Sequence, residues 1–177
     1  QAHAFAYTGS YIDLGTFGGL NSYALGINRD GTACGAALNG DGQTHAFTWQ
    51  GGVLYDIHIL AQASEFAAAS PTGHIIHSTF SEAHDINDSN DVIGFLTAPN
   101  SAGINGEIPF HYRNEVLTEL GSLGGTNSRA LAINNGGRIV GWSELPSGAK
   151  RAVIFYTNGN IAGVSNIHLQ EFLAVVF

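Results

Sequence analysis

The sequence predicts an all-β repeat fold, and three observations support that prediction. The block 14–28 returns as the block 120–134 with most of its residues unchanged. Short runs rich in β-branched and aromatic residues alternate with turns that contain Asn, Asp and Gly, as in chains of β-hairpins. No stretch shows sustained helical periodicity, so a fold built from hairpins is expected.

The first half of the repeat is a hairpin that begins at a serine and contains the pair Ile-Asn. Its three copies begin at Ser22, Ser81 and Ser128, and the middle copy is the weakest. After each Ile-Asn comes a turn and then a short strand that ends in glycine. Those glycines are Gly35, Gly94 and Gly141.

The second half of the repeat is another hairpin, which alternates with the first. Its copies begin with residues 3–7, 45–49, 108–112 and 151–155, and a turn bearing Gly or Asn follows each of them. The equivalent positions Phe5, Phe47, Phe110 and Val153 lie 42, 63 and 43 residues apart. The period is therefore 42 or 43 residues, with an insertion of about 20 residues in the middle of the chain.

Two hairpins in each period give four short strands, which is the size of one propeller blade. We therefore expect a small β-propeller of about four blades with four-stranded antiparallel blades, or an open propeller arc completed by another subunit. The chain opens on a second hairpin that lacks its own first hairpin, so one unit is incomplete. The expected division of the single domain 1–177 is a half unit 1–21, a unit 22–80 with an insertion near 59–80, units 81–127 and 128–168, and a closing or donated strand 169–177.

The two half-repeats together carry a recognisable motif. Residues 3–5 and 45–47 read His-Ala-Phe, and residues 13–22 read Asp-Leu-Gly-Thr-Phe-Gly-Gly-Leu-Asn-Ser. With the Ile-Asn pair and the strand-ending glycine, this pattern resembles the HAF repeat of bacterial extracellular proteins, and the resemblance covers most of the chain. It implies secretion and a propeller-like fold, and it implies no settled biochemical activity. The departures from the motif are at Cys34, Pro109 and residues 151–153.

The composition limits the classes of partner. Hydrophobic residues make up 44% of the chain and charged residues only 11%, against about 25% charged residues in typical domains. So weakly charged a surface suggests contact with something other than water. The net charge of −8 argues against nucleic acid and against anionic membrane surfaces. A chain that lacks Met and starts at Gln1 is expected of a mature secreted protein.

The C-terminal residues are expected to mediate assembly. Leu173, Ala174, Val175, Val176 and Phe177 combine high β-propensity with no charge and no proline, which is the profile of a strand that pairs with an exposed edge. Such a strand either closes the ring of its own chain or adds to a neighbouring chain. Self-association through edge strands or this tail is therefore the expected partner contact, with no nucleic acid and no membrane-spanning helix.

The turn 85–91 contains the candidate metal site. Asp85, Asn87, Ser89 and Asp91 place oxygen-bearing side chains at alternate positions, as a calcium-binding loop does. The equivalent segments of the other copies have the composition of plain hairpin turns, so turn formation is the competing interpretation. Calcium is the one cofactor that the sequence suggests.

Two aromatic residues are candidate ligand contacts. Trp142 and Phe95 follow the strand-ending glycines, and we expect them near an edge, where they can meet a glycan. No Gly-x-Ser-x-Gly elbow and no convergent pair of carboxylates is visible, so no catalytic residue is assigned. The predicted function is a non-catalytic, secreted structural or interaction protein that assembles with itself. The alternative is a calcium-dependent or carbohydrate-binding module.

Overall fold

A computed structural model describes residues 1–61, 78–99, 105–157 and 160–163. In these ranges the chain forms fourteen β-strands and one helical turn. The elements are β1 (Phe5–Tyr7), β2 (Tyr11–Asp13), β3 (Gly18–Ile27), β4 (Ala33–Asn39), β5 (Thr44–Gln50), β6 (Val53–Asp56), α1 (His58–Ala61), β7 (Ser81–Ile86), β8 (Val92–Pro99), β9 (Asn105–Arg113), β10 (Val116–Glu119), β11 (Ser128–Ile133), β12 (Ile139–Glu144), β13 (Lys150–Phe155) and β14 (Ile161–Gly163).

The strands form four antiparallel sheets, which confirms the all-β prediction. Strands β1 and β2 make a two-stranded N-terminal hairpin. The first sheet contains β3 to β6, the second β7 to β10 and the third β11 to β14, each with its strands in chain order. Every connection within a sheet is therefore a hairpin, as the short turns between the strands require. Within the described ranges, no helix has the length and apolar character needed to cross a membrane.

The glycines expected to end the second strand of each sheet lie instead at the third position of β4, β8 and β12, which continue beyond them, and they hold the first two strands of each sheet close together. Gly94 lies opposite Ala83 in the register of β8 and β7, and the pairing shifts by one residue directly after that position. A Cβ on Gly94 would overlap the carbonyl oxygen of Glu82 and lie 2.9 Å from Ala83 Cα. Gly35 and Gly141 stand at the same place, beside the same bulge, in the other two sheets. The motif glycine is therefore required by a close backbone approach.

Three asparagines shape the turns between the first and second strands. Each side-chain Oδ1 accepts hydrogen bonds from the backbone N–H groups two and four residues further on, which closes the turn. In the first and second sheets, the side-chain amide of this asparagine also donates a hydrogen bond to the backbone carbonyl of the equivalent asparagine in the next sheet. Asn28 Nδ2 donates to Asn87 O at 3.1 Å, and Asn87 Nδ2 donates to Asn134 O at 3.2 Å. We call Asn28, Asn87 and Asn134 the asparagine ladder.

The hydrophobic core lies between consecutive sheets. Cys34 and Ala46 of the first sheet are fully buried in one cluster with Ile86 and Phe110 of the second sheet. Ile93 of the second sheet is buried in the same way with residues of the third. The N-terminal hairpin covers the first sheet through Ala4 and Ala6. Each layer therefore supplies small or branched side chains that cover the core of the next layer.

Pro109 changes one contact between layers. Ser22 Oγ accepts a hydrogen bond from Ala4 N–H at 3.0 Å, and Ser81 Oγ accepts one from Ala46 N–H at 2.9 Å. Proline has no N–H to donate at the equivalent position. There Ser128 Oγ donates instead to Ser143 Oγ at 2.7 Å, at a site that Ala37 and Leu96 occupy in the other sheets. In the third sheet the Ser143 hydroxyl therefore gives Ser128 a hydrogen-bond partner, because Pro109 of the second sheet has no N–H to donate.

Candidate functional site

The stack of sheets begins with an apolar surface that has no counterpart inside the molecule. The side chain of Phe5 on β1 is 58% exposed, whereas the equivalent Phe47, Phe110 and Val153 are 0%, 1% and 0% exposed. Ile27 on β3 is 62% exposed, whereas the equivalent residues of β7 and β11 are buried. Among the described residues no layer precedes β1, and the N-terminal hairpin has only two strands, so neither Phe5 nor Ile27 is covered.

This surface also contains aromatic rings and an unpaired strand. Tyr7 and Tyr11 are both exposed, and their rings pack against each other with centroids 5.2 Å apart. We call Phe5, Tyr7, Tyr11 and Ile27 the end face. Strand β1 pairs only with β2 in the described structure, and a groove of about 250 Å³ runs between β1 and β3. An exposed apolar patch beside a free strand edge is typical of an association surface.

The opposite end of the stack exposes the complementary positions. Ala46 and Pro109, which cover the core of the following layer, are buried, whereas the equivalent Ala152 of the third sheet is exposed. The asparagine ladder also lacks a further hydrogen bond at each of its two ends in the described structure. Among the described residues, the Asn134 amide has no acceptor beyond it, and no side-chain amide donates to the Asn28 carbonyl. One end therefore offers donors and small side chains, and the other offers an acceptor and large apolar side chains.

The predicted assembly strand 173–177 lies outside the described residues. The sequence did not predict the end face, because Phe5 and Tyr7 occupy repeat positions that are expected to be buried in the core. The available signal was the incomplete half unit 1–21, which marks one end of the array, where no described layer covers Phe5 and Tyr7. The structure therefore identifies an apolar face next to the incomplete unit.

The four predicted calcium ligands lie in and beside one turn, and the side-chain oxygens of Asp85, Asn87 and Asp91 already have partners. Asp85 accepts from Ile86 N–H and from Ile133 N–H of the third sheet. Asn87 Oδ1 accepts from the N–H groups of Ser89 and Asp91. These contacts close the turn and join it to the next sheet, as the turn interpretation expects.

Asp91 completes this network. Its Oδ2 accepts from Asn87 Nδ2 at 2.9 Å, and its Oδ1 lies 2.9 Å from His111 Nε2 and 3.4 Å from Arg113 Nη1. The carboxylate is buried, so these partners supply the compensation that a buried charge needs. In the part of the chain that the structure describes, no group of three His, Cys, Asp or Glu side chains has the arrangement of a metal site.

The two predicted ligand aromatics occupy equivalent positions in different sheets and do not form one site. Phe95 is 2% exposed and is covered by Arg129, whose guanidinium carbon lies 3.9 Å from the ring centroid. Trp142 is half-buried, and Lys150 Nζ lies 3.7 Å from the centroid of its ring. Both rings therefore face a cation of their own chain.

A polar row crosses the first strands of the three sheets. Tyr23 OH donates to Glu82 Oε2 at 2.7 Å, and His84 Nε2 lies 2.7 Å from Glu82 Oε1. Contact with His84, and then the hydrogen bond from Tyr23, hold the pKa of Glu82 below its ordinary value. Arg129, at the equivalent position of β11, forms a two-pronged ion pair with Glu107. The residue after each motif serine thus links neighbouring sheets.

A buried serine–histidine pair lies where the insertion begins. Ser81 Oγ lies 2.7 Å from His58 Nδ1 and accepts from Ala46 N–H, so its own proton goes to the imidazole. His58 Nε2 then donates to Ser78 O at 3.1 Å. His58 and Ser81 are each 1% exposed, so a substrate cannot reach the hydroxyl. The pair therefore anchors the insertion to the second sheet and is no nucleophile–base site.

The buried imidazole predicts a pH dependence of stability. Burial, and then the neighbouring His45, lower the pKa of His58 to about 4 from an ordinary value of 6.5. The unfolded chain therefore takes up the proton first, and stability is lost as the pH falls from about 6.5 towards 4. The full difference is on the order of 3 kcal/mol.

Urea unfolding at several pH values checks this prediction. His58→Gln is expected to be less stable than the wild type at neutral pH and to have a flatter stability profile between the two pKa values. An unchanged slope in His58→Gln would show that other groups cause the dependence.

Comparisons with protein-family models, with curated proteins and with solved structures gave no match to this chain. Its function is therefore inferred from its own geometry. The end face, the unpaired edge of β1 and the unfinished ladder are the features that depart from the internal repeat, and they all concern the contact between one layer and the next.

Proposed function

We propose that this protein is a secreted, non-catalytic structural and interaction module that assembles with copies of itself. Its sheets would act as the blades of an open, propeller-like arc. The observation that carries the proposal is the exposure of Phe5 and Ile27 at positions that are buried in every other layer. The low charged content of 11% supports a surface that is covered in the working state.

The proposed contact runs head to tail. The end face of one copy receives the outer side of the third sheet of another copy, where Ala152 is exposed. This contact would repeat the packing that covers Phe47 and Phe110 inside the chain. Burying one side chain such as Phe5 or Ile27 contributes about 1.5–3 kcal/mol. The ladder adds directional hydrogen bonds, because Asn134 offers a donor and Asn28 an acceptor.

The C-terminal tail has a place in the same contact. The uncharged segment 173–177 has the composition to add as a strand to the open edge of β1, where main-chain groups are unpaired in the described structure. Strand addition of this kind supplies main-chain hydrogen bonds, while alternate side chains fill the groove. A tail donated to a neighbouring copy would strengthen the head-to-tail contact.

Sedimentation velocity over a range of protein concentrations tests the proposal. The wild type is expected to form larger species as its concentration rises. The double variant Phe5→Ser, Ile27→Ser should sediment as a monomer, and a chain truncated before residue 170 should associate more weakly. The matched control is Val53→Ser, Val116→Ser, which removes two exposed valines far from β1 in sequence and should associate like the wild type.

Two results would overturn the proposal. One is a wild type that stays monomeric at every concentration. The other is an end-face double variant that folds, as its circular dichroism spectrum shows, and still associates as the wild type does. A loss of association in both double variants would show that the effect is general surface hydrophobicity and that the end face has no special role.

A further inference from the structure

A second, polar cavity lies away from the end face. It has a volume of about 260 Å³ and lies between the turn ends of the first and second sheets. Its walls include the rings of Tyr55 and Tyr112 and the amide side chains of Gln50 and Asn90. The described residues that line it include no Lys or Arg, and Glu115 is the one carboxylate among them. The cavity shares no residue with the end face.

The backbone around this cavity is strained. Asn90, Asn114 and Glu115 have φ values of 60°, 49° and 63°, and they are the non-glycine residues with positive φ in the described chain. All three line the cavity. Residues in this region of φ cluster at functional sites, because the strain persists only where something keeps it.

Comparison of the equivalent loops in the first and second sheets shows that glycines are replaced at the cavity. The two-residue loop between β9 and β10 is Asn114-Glu115, and the equivalent loop between β5 and β6 is Gly51-Gly52. Glycine is the residue that this left-handed loop geometry favours. At Glu115 the chain instead carries a carboxylate in a conformation that side chains rarely adopt. The second sheet has therefore kept a polar group at the cavity against the backbone preference.

The cavity also holds unused hydrogen-bonding capacity. Thr32 is 4% exposed, and its hydroxyl is buried without a hydrogen-bond partner. Asn90 Oδ1 accepts from Asn28 Nδ2 at 2.7 Å, and its own amide nitrogen has no acceptor among the described residues. Asn90 is exposed, whereas a buried hydroxyl without a partner, such as that of Thr32, is rare in folded proteins. Thr32 lines the cavity, so its hydroxyl is a candidate partner for a group that enters it.

We propose that this cavity binds a single neutral sugar ring. The tyrosine rings offer apolar faces for the C–H groups of a sugar, and the amides and hydroxyls match its alcohol groups. Glu115 accepts hydrogen bonds from alcohols and repels anions, and none of the described lining residues is a Lys or Arg that would attract them. Drug-sized ligands occupy pockets from about 300 Å³ upwards, so this smaller volume fits one ring.

Titration of the labelled protein, followed by amide NMR, tests the proposal. The probes are the methyl glycosides of glucose, galactose, mannose and N-acetylglucosamine, with glucuronate as an anionic comparison. At least one neutral glycoside is expected to shift the amide signals of Thr32, Asn90 and Glu115, and glucuronate should bind more weakly. Tyr55→Ala should weaken this binding at least about tenfold. Tyr156→Ala, which removes an exposed tyrosine elsewhere, should bind like the wild type.

Glu115→Gly separates binding from folding. Glycine relieves the positive φ, so this variant should melt at the same temperature as the wild type or higher, while its affinity for the glycoside falls. The proposal is wrong if none of the four glycosides shifts the cavity signals. It is also wrong if Tyr55→Ala binds as tightly as the wild type, or if glucuronate binds as tightly as the neutral sugars.

Discussion

Gly94→Ala is expected to destabilise the protein by about 3 kcal/mol or more. The added Cβ would overlap the carbonyl oxygen of Glu82 and approach Ala83 Cα to 2.9 Å, and both atoms belong to the backbone of β7. The strand cannot move aside cheaply, because it is packed between the first and third sheets through Asp85 and Ile86. Urea unfolding followed by circular dichroism measures the loss.

Gly40→Ala is the matched control for this substitution. Gly40 lies in the turn between β4 and β5, has no heavy atom within 4 Å of an added Cβ and does not have a left-handed φ. Its replacement should change the free energy of unfolding by no more than about 0.5 kcal/mol. Equal stabilities for the Gly94 and Gly40 variants would mean that the close approach of β7 and β8 is not required.

Asn87→Ala is expected to cost about 2–4 kcal/mol. The substitution removes the acceptor for the N–H groups of Ser89 and Asp91 and the donor to Asn134 O. It also takes one hydrogen bond from the buried Asp91 carboxylate. Asn87 is only 3% exposed, so the N–H groups and the carboxylate that it contacts are shielded from solvent and would lose a hydrogen-bond partner.

Asn134→Ala is the comparison variant, because Asn134 has neither a ladder donor bond nor a bond equivalent to that between Asn87 and Asp91 among the described residues. Asn134 closes its own turn through the same two acceptor bonds, and it has no onward rung among the described residues. Its loss should therefore cost less, about 1–2 kcal/mol. Unfolding free energies of the two variants, measured side by side, give the difference. If Asn87→Ala costs no more than Asn134→Ala, the contacts between sheets contribute nothing measurable to stability.

The strand content could be predicted from the sequence because each strand is short, β-rich and bounded by turn residues. The motif glycines and the Ile-Asn turns have local causes, and the repeat displays them three times. The contacts between sheets are different. The spacing of Asp85, Asn87 and Asp91 shows which residues share a turn, and it does not show that Asn134 and Ile133 of the next sheet approach them.

The two candidate surfaces were hidden from sequence reasoning for a related reason. Phe5 has the same motif position as Phe47, and it is exposed because no described layer covers it. The cavity had one local signal in the sequence, the loop Asn114-Glu115 at the place of Gly51-Gly52. A single pair of non-glycine residues in a tight turn is a weak signal of a binding site. The rest of its wall comes from a neighbouring sheet, which residue spacing does not reveal.

The asparagine ladder gives the molecule a polarity. Every rung donates from one layer to the next in chain order, from Asn28 to Asn87 and from Asn87 to Asn134, and never in reverse. Two copies that met with like ends together would set donor against donor or acceptor against acceptor. Growth of any longer array would therefore be vectorial, and its two tips would elongate at different rates.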